Sequence, residues 1–319
     1  MVTCRSFLLL FTLLVFGLPA AAAEPADAAN PGPNPVAGGL KVNPDLLRLA
    51  LLAPPALPSP GAAGQGQAAA PEDDPDLDVD PLQTDFTLVA LPTTLRMPRG
   101  KSAFRVTHRF TRSLGQGDFG SLLEDFFGID SGAVIGLEYR YGIMRGAHIG
   151  IRRTNDRTIE LFTEYNVLQE RAAKPVGLSV IASIDGTNNF RDSYTPALGV
   201  VVSRTLQRAG TVYLEPIWVN NSNPLPSALA DNNDSFLLGV GTRLRVRPSL
   251  YVVGEIVPRV AGYDPGVNHA SVALEKLLGL HVFQVNFANG FGATTGKVAR
   301  GGAANDDWYL GFSISRKFF

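Results

Sequence analysis

The chain has one cysteine, Cys4, in 319 residues. An intramolecular disulfide is excluded by that count, and no cysteine metal site can be built. Histidine is scarce. His108, His148, His269 and His281 are scattered, and none has metal-ligand spacing with a carboxylate. No glycine loop of the phosphate-cradling kind occurs, so no cofactor is expected. The basic residues are dispersed, which leaves no footprint for nucleic acid. After residue 23 no stretch approaches the roughly 18 uncharged apolar residues of a membrane helix. If this chain crosses a membrane, it must do so as a closed β-barrel, because lipid cannot satisfy the backbone groups of an open sheet.

The N-terminus sets the compartment. Residues 1–23 carry Arg5, an apolar run from Phe7 to Leu18, and Ala21-Ala22-Ala23. This is the layout of a secretory signal peptide, with cleavage expected after Ala23. Residues 24–81 are rich in proline, alanine and glycine and end in an acidic run from Glu72 to Asp80. Such a segment buries too little apolar surface to fold and is expected to be a disordered acidic periplasmic arm, with one short helix at 45–53. The arm holds nine acidic and two basic residues, against 20 and 25 from Leu82 onward. The near-zero net charge therefore conceals two regions of opposite sign.

From residue 82 to 319 the pattern is repeated alternation. Leu238, Val240, Thr242, Leu244 and Val246 share one parity; Gly239, Gly241, Arg243 and Arg245 share the other. A strand places these sets on opposite faces. About twelve such segments can be drawn, from 102–111 to 307–318, most near the 9–11 residues a tilted membrane strand needs. The connections alternate in length. Residues 142–145, 169–175, 207–209, 247–248 and 279 are short; 112–132, 186–195, 220–234, 261–269 and 289–306 are long and polar; 154–156 is the exception. An outer-membrane barrel has short periplasmic turns and long outer loops, whereas a soluble β-sandwich gives no reason for the alternation. The expected fold is all-β: an antiparallel up-and-down transmembrane β-barrel of about twelve strands in the outer membrane of a Gram-negative bacterium.

Parity then names the lumen. The candidate inward residues are Glu138, Arg140, His148, Arg152, Glu160, Glu164, Arg243, Arg245, Glu255, Glu275, Gln284 and Asn286. A cation facing mid-bilayer costs about 2–4 kcal/mol, so charges belong on this face. Glu255 is a candidate partner for Arg243 and Arg245 across the β-turn at 247–248. Two places break the pattern: Val253 and Val257 share the parity of Glu255, and Lys276 falls on the lipid parity.

The last strand, Trp308 to Phe319, resembles the terminal signal by which outer-membrane proteins reach the barrel-assembly machinery, a partner expected to act through Phe319. Phe319 itself is out of step with the lipid-facing Leu310, Phe312, Ile314 and Phe318. Several further stretches carry a family resemblance: Leu91-Pro92-Thr93-Thr94-Leu95, Phe104 to Phe110, Phe127-Gly128-Ile129-Asp130, and His281 to Asn289. Together, over about residues 90–319, they resemble a bacterial β-barrel family, domain of unknown function 5777. The resemblance implies an outer-membrane barrel and no particular substrate.

Other chemistries are weaker. His269 and Ser271 lie at i and i+2, and outer-membrane phospholipases of about twelve strands use a His-x-Ser pair on the lipid-facing wall. Here the residues that follow that family's serine are absent, and Ser271 shares parity with Glu275. Asp231 to Asp234 read as a solvated loop rather than a calcium site. The expectation is a non-enzymatic barrel in outer-membrane lipid that passes or binds a small solute or serves the envelope structurally. The alternatives are a membrane-embedded lipid-modifying enzyme and a soluble secreted β-barrel binder.

Overall fold

A computed structural model describes residues 75–78, 80–171, 174–223, 233–264, 266–302 and 307–319, all within the unit Ala69–Phe319. The expected leader, the arm up to residue 74 with its 45–53 helix, and Asp231 and Asn232 lie outside the described residues.

The strands are β1 (Ser102–Phe110), β2 (Ala133–Met144), β3 (Ala147–Thr154), β4 (Ile159–Leu168), β5 (Gly177–Gly186), β6 (Asp192–Leu206) and β7 (Gly210–Val219). They continue as β8 (Ser235–Arg247), β9 (Leu250–Val257), β10 (Arg259–Gly262), β11 (His269–Leu278), β12 (His281–Ala288) and β13 (Tyr309–Phe318). Neighbours pair antiparallel, β1 pairs with β13 and β8 with β9, so the sheet closes on itself. β9 and β10 both pair with β8, on either side of Pro258, and form one stave. The proline has no N–H to give to the ladder; its carbonyl still accepts from Leu238 N at 2.9 Å. The barrel therefore has twelve staves with one extra strand segment.

Short turns gather at one end. Gly279, at φ +60°, closes a two-residue turn between β11 and β12. The other end carries the long loops. Among the described residues, short helices closed by a side-chain cap lie in two of these: α1 (Phe119–Glu124), capped by Asp118, and α2 (Thr295–Ala299), capped by Thr294. No described helix is long and apolar enough to cross a membrane.

The outer surface is apolar. Leu137, Ile151, Leu161, Leu214, Val240 and Ile256 are all exposed, which only a lipid-facing surface explains at this scale. Aromatic residues mark its two rims: Phe104, Tyr139, Tyr141 and Phe318 are register neighbours at the short-turn end, and Trp218 pairs with Phe236 at the loop end.

The hydrophobic core lies inside the barrel. Leu88, Val89 and Leu91 pack with Val201, Ile217, Leu237, Val253 and Val257 of the wall, and with Val298 and Ala299 of α2. This accounts for the two valines that share the parity of Glu255: they face inward because an apolar segment lies against them. A second cluster joins Phe86, Met97 and Ala103 with Leu95 and Phe319. The step out of phase at Phe319 turns that ring onto this cluster. Lys276 remains on the exposed parity, and its Nζ reaches Ser249 Oγ at 2.8 Å beside the β8–β9 turn. The wrong-parity lysine thus sits at the rim.

Candidate functional site

The residues ahead of β1 decide what the lumen is. Residues 82–97 enter at the short-turn end, turn back inside, and leave by the same end. The turn is closed by Leu88 N to Leu91 O at 2.8 Å, and Thr93 N returns to Phe86 O at 3.0 Å. Pro81 O accepts from Tyr251 Oη at 2.6 Å and Leu82 O from Thr211 Oγ1 at 3.1 Å, which fixes the entry. On the exit, Thr94 Oγ1 lies 2.6 Å from Ser203 Oγ. The expected arm boundary at Pro81 falls within a packed stretch, since Asp76 forms ion pairs with Arg96 at 3.2 Å and Arg145 at 3.4 Å.

The buried segment carries backbone groups that must be satisfied, and the wall supplies charged side chains for them. Glu255 accepts from Val89 N, Ala90 N and Leu91 N at 2.9–3.1 Å. Three successive amides converging on one carboxylate form an anion nest. Arg105 donates to Thr87 O, Leu88 O and Val89 O at 3.1–3.3 Å, and its Nη1 also reaches Asp85 at 3.2 Å. Arg243 donates to Asp85 O at 3.3 Å and Thr87 O at 3.0 Å. Gln284 donates to Leu88 O at 3.0 Å. Lys317 bonds Thr84 O, Thr84 bonds Glu275, and Ser315 donates to Asp85 at 2.6 Å. Charge-assisted bonds of this kind are the stronger sort.

All but one of the residues named from parity are buried; Arg245 is half-buried opposite Tyr251 near the β8–β9 turn. Arg152 bonds both Glu138 and Glu160, and Glu138 also takes Arg140. Arg140 reaches Thr87 Oγ1 and His148 Nε2, each at 2.9 Å, and lies 4.7 Å over the Phe162 ring. Glu164 stands 3.7 Å from His148. Asn286 accepts from Arg109 at 3.3 Å. The partner expected for Arg243 is corrected. Arg243 pairs with Glu275, at 3.1 Å on β11, because Glu255 is taken by the inserted amides. Glu255 also accepts from Ser271 Oγ at 2.9 Å and lies 3.2 Å from His269 Nε2. His269 and Ser271 therefore share one interior carboxylate and do not stand on the lipid-facing wall.

The loop end is filled as well. In the β12–β13 connection Thr294 Oγ1 donates to Asp185 at 2.6 Å and Thr295 N to Glu160 at 2.9 Å. Arg109 Nη1 holds Gly290 O at 2.6 Å. Lys297 pairs with Asp156. Among the described residues, two voids inside the wall measure about 20 and 40 Å3, while a larger cavity of about 330 Å3, lined by Asp76, Asp80, Gln83, Arg96 and Glu170, opens at the short-turn end. Among the described residues no three His, Cys, Asp or Glu side chains are placed to hold a metal.

Residues 84–318 match the family of membrane-bound β-barrel domains designated DUF5777. The chain belongs to this family. For this DUF5777 barrel the matched span begins at Thr84, so it takes in the inserted segment together with the wall. No curated protein matches the chain. Among solved structures it is similar to the outer membrane protein Omp33 of Acinetobacter baumannii, at 10% identity and TM-score 0.41 over 69% of this chain and 98% of that one. It is also similar to the NanC porin, at 7% identity and TM-score 0.45 over 69% and 99%. The KdgM porin in complex with disordered oligogalacturonate gives 7% identity and TM-score 0.42 over 69% and 99%.

Sequence reasoning missed Asp85, Thr87, Arg105 and Lys317 as members of the site. Arg105 and Lys317 lie on inward parity and were open to discovery by the alternation. Asp85 and Thr87 were not, because the inserted segment has no period of its own.

Proposed function

We propose that the protein is an outer-membrane solute channel kept shut by its own residues 82–97, with the arm that precedes them in the periplasm. The observation that supports this is the seat of that segment: its backbone amides and carbonyls are held by Glu255, Arg105 and Arg243 of the wall. These bonds join one piece of chain to the barrel by side-chain contacts alone, so the piece can leave without breaking the β-ladder. The short turns and both ends of the segment share one end of the barrel, as the periplasmic end of such proteins does.

A barrel that is permanently closed and serves the envelope structurally is the second reading, favoured by how little free volume remains inside. Conductance separates the two. The Leu88→Asp/Leu91→Asp variant places two charges in the apolar seat and should expel the segment. A Thr94→Cys/Gly177→Cys variant should lock it, since a Cβ on Gly177 would lie 3.6 Å from Thr94 Cβ, within the span of a disulfide. In planar bilayers the aspartate variant should conduct strongly, while the oxidised cysteine variant should stay at or below wild-type current. An aspartate variant that assembles with heat-modifiable gel mobility yet conducts no more than wild type would overturn the channel reading.

A further inference from the structure

Glu215 of β7 is fully buried, and neither carboxylate oxygen has a hydrogen-bond partner among the described residues. A buried carboxylate left bare is costly, and a native structure rarely keeps one without a use. Its position is specific. Glu215 is the register partner of Gly239, and Glu255 is the register partner of Gly241 on the other side of β8. The two glycines form a floor with a carboxylate on each flank. A Cβ at Gly239 would come within 3.1 Å of the Leu91 side chain and 3.2 Å of Glu215 Cβ, so the inserted turn rests on this floor. Its far side is gripped by Arg105 and Arg243 through carbonyl oxygens. The wall thus reads a peptide from both sides, with donors for its carbonyls and acceptors for its amides. The segment satisfies Glu255 and leaves Glu215 with nothing.

We propose that this seat is the solute site of the opened barrel and that its ligand is a zwitterionic amino acid or short peptide. The ligand carboxylate and carbonyls take Arg105 and Arg243. Its ammonium group lies over the glycine floor, between Glu215 and Glu255. An aliphatic side chain fills the place of Leu88 and Leu91, against Val201, Ile217 and Leu237. The segment then acts as an internal peptide that occupies the site and lacks only the ammonium. This inference rests on the channel reading above.

The test uses full-length Leu88→Asp/Leu91→Asp protein in planar bilayers, titrated with dileucine, N-acetyl-dileucine and glucose. Dileucine should block the current at a concentration about tenfold lower than its acetylated form, the difference one charge-assisted contact makes. Glucose should not block in that range. Glu215→Gln in the same background should erase the preference for the free ammonium. Equal block by all three solutes would overturn the site while the raised conductance left the channel reading standing. No rise in conductance from an assembled variant would remove both. If the variant does not assemble, the unaltered chain supplies the measurement: dileucine, and not N-acetyl-dileucine, should speed tryptic cleavage after Arg96, because ligand and segment compete for one seat. Cleavage indifferent to dileucine would also overturn the site.

Discussion

Val240 and Gly241 are adjacent in β8 and face different surroundings. Val240 is 43% exposed on the outside of the barrel, and a Cβ on Gly241 would run into Leu88 Cδ1 on the inside. The outer residue answers to a uniform medium, where any greasy side chain of moderate size will serve. The inner residue answers to one side chain from far upstream in the sequence. Polarity is the requirement on one face of the strand, and shape is the requirement on the other.

The largest effect should come from placing the same residue on each face. Val240→Arg or Leu244→Arg puts a cation against lipid at a cost of about 2–4 kcal/mol near mid-bilayer, and the assembled fraction in membranes should collapse. On sequence alone, Gly241→Arg carries no risk beyond crowding. The structure makes it a different experiment. The barrel should still assemble, but the segment at Leu88 should be displaced, and conductance should rise. Equal loss of assembly at all three positions would erase the distinction between the faces.

An intermediate effect is expected within the inner face. Arg243→Ala leaves the Glu275 carboxylate without its cation and frees the carbonyls of Asp85 and Thr87. Unsatisfied buried groups cost about 1–3 kcal/mol each where water cannot reach them. The measurement is protease sensitivity of residues 82–97, which should rise well before the barrel itself melts. If segment and barrel lose protection together, the two are a single cooperative unit.

The smallest effect lies at the loop rim. Burial alone would raise the Asp156 carboxyl, but bonds from Lys297 and Thr154 hold it down to about 2, below its usual 3.8. A depressed carboxylate contributes stability above its unfolded value and loses it as pH falls through the folded one. The pair is half-exposed on the aspartate side, so its worth is about 0–1 kcal/mol. Protection of the β12–β13 loop in wild type should fall toward that of Asp156→Asn between pH 4 and 2. A difference that persists below pH 2 would assign the protection to other contacts.

What could be read from the sequence follows the same division. The outward alternation of Leu137, Tyr139 and Tyr141, the spacing of short and long connections, and the resulting twelve staves are local properties, and lipid imposes them one residue at a time. The inward charges were legible as a set for the same reason. Their partners were not. Arg243 meets Glu275 instead of Glu255 because three amides from residues 89–91 already occupy Glu255. The inserted segment has neither helical nor strand period, since each of its side chains is fitted to a different piece of wall. Its traces in the sequence were the irregularities: inward Val253 and Val257, and Phe319 out of step.

The segment also touches both strands of the ladder that joins the two ends of the sheet, β1 and β13. Asp85 is held by Arg105 of β1 and Ser315 of β13, and Lys317 of β13 bonds Thr84. These strands are far apart in sequence, so bringing them together carries a large loop-closure entropy. A segment already lodged between them during assembly shortens that search, because each edge meets a docked partner before it meets the other. If the barrel closed first, the same segment would have to find its way in through the short-turn end past Tyr251 and Thr211. The piece of chain that fills the interior of the finished barrel is therefore also placed to act as the former around which its wall is joined.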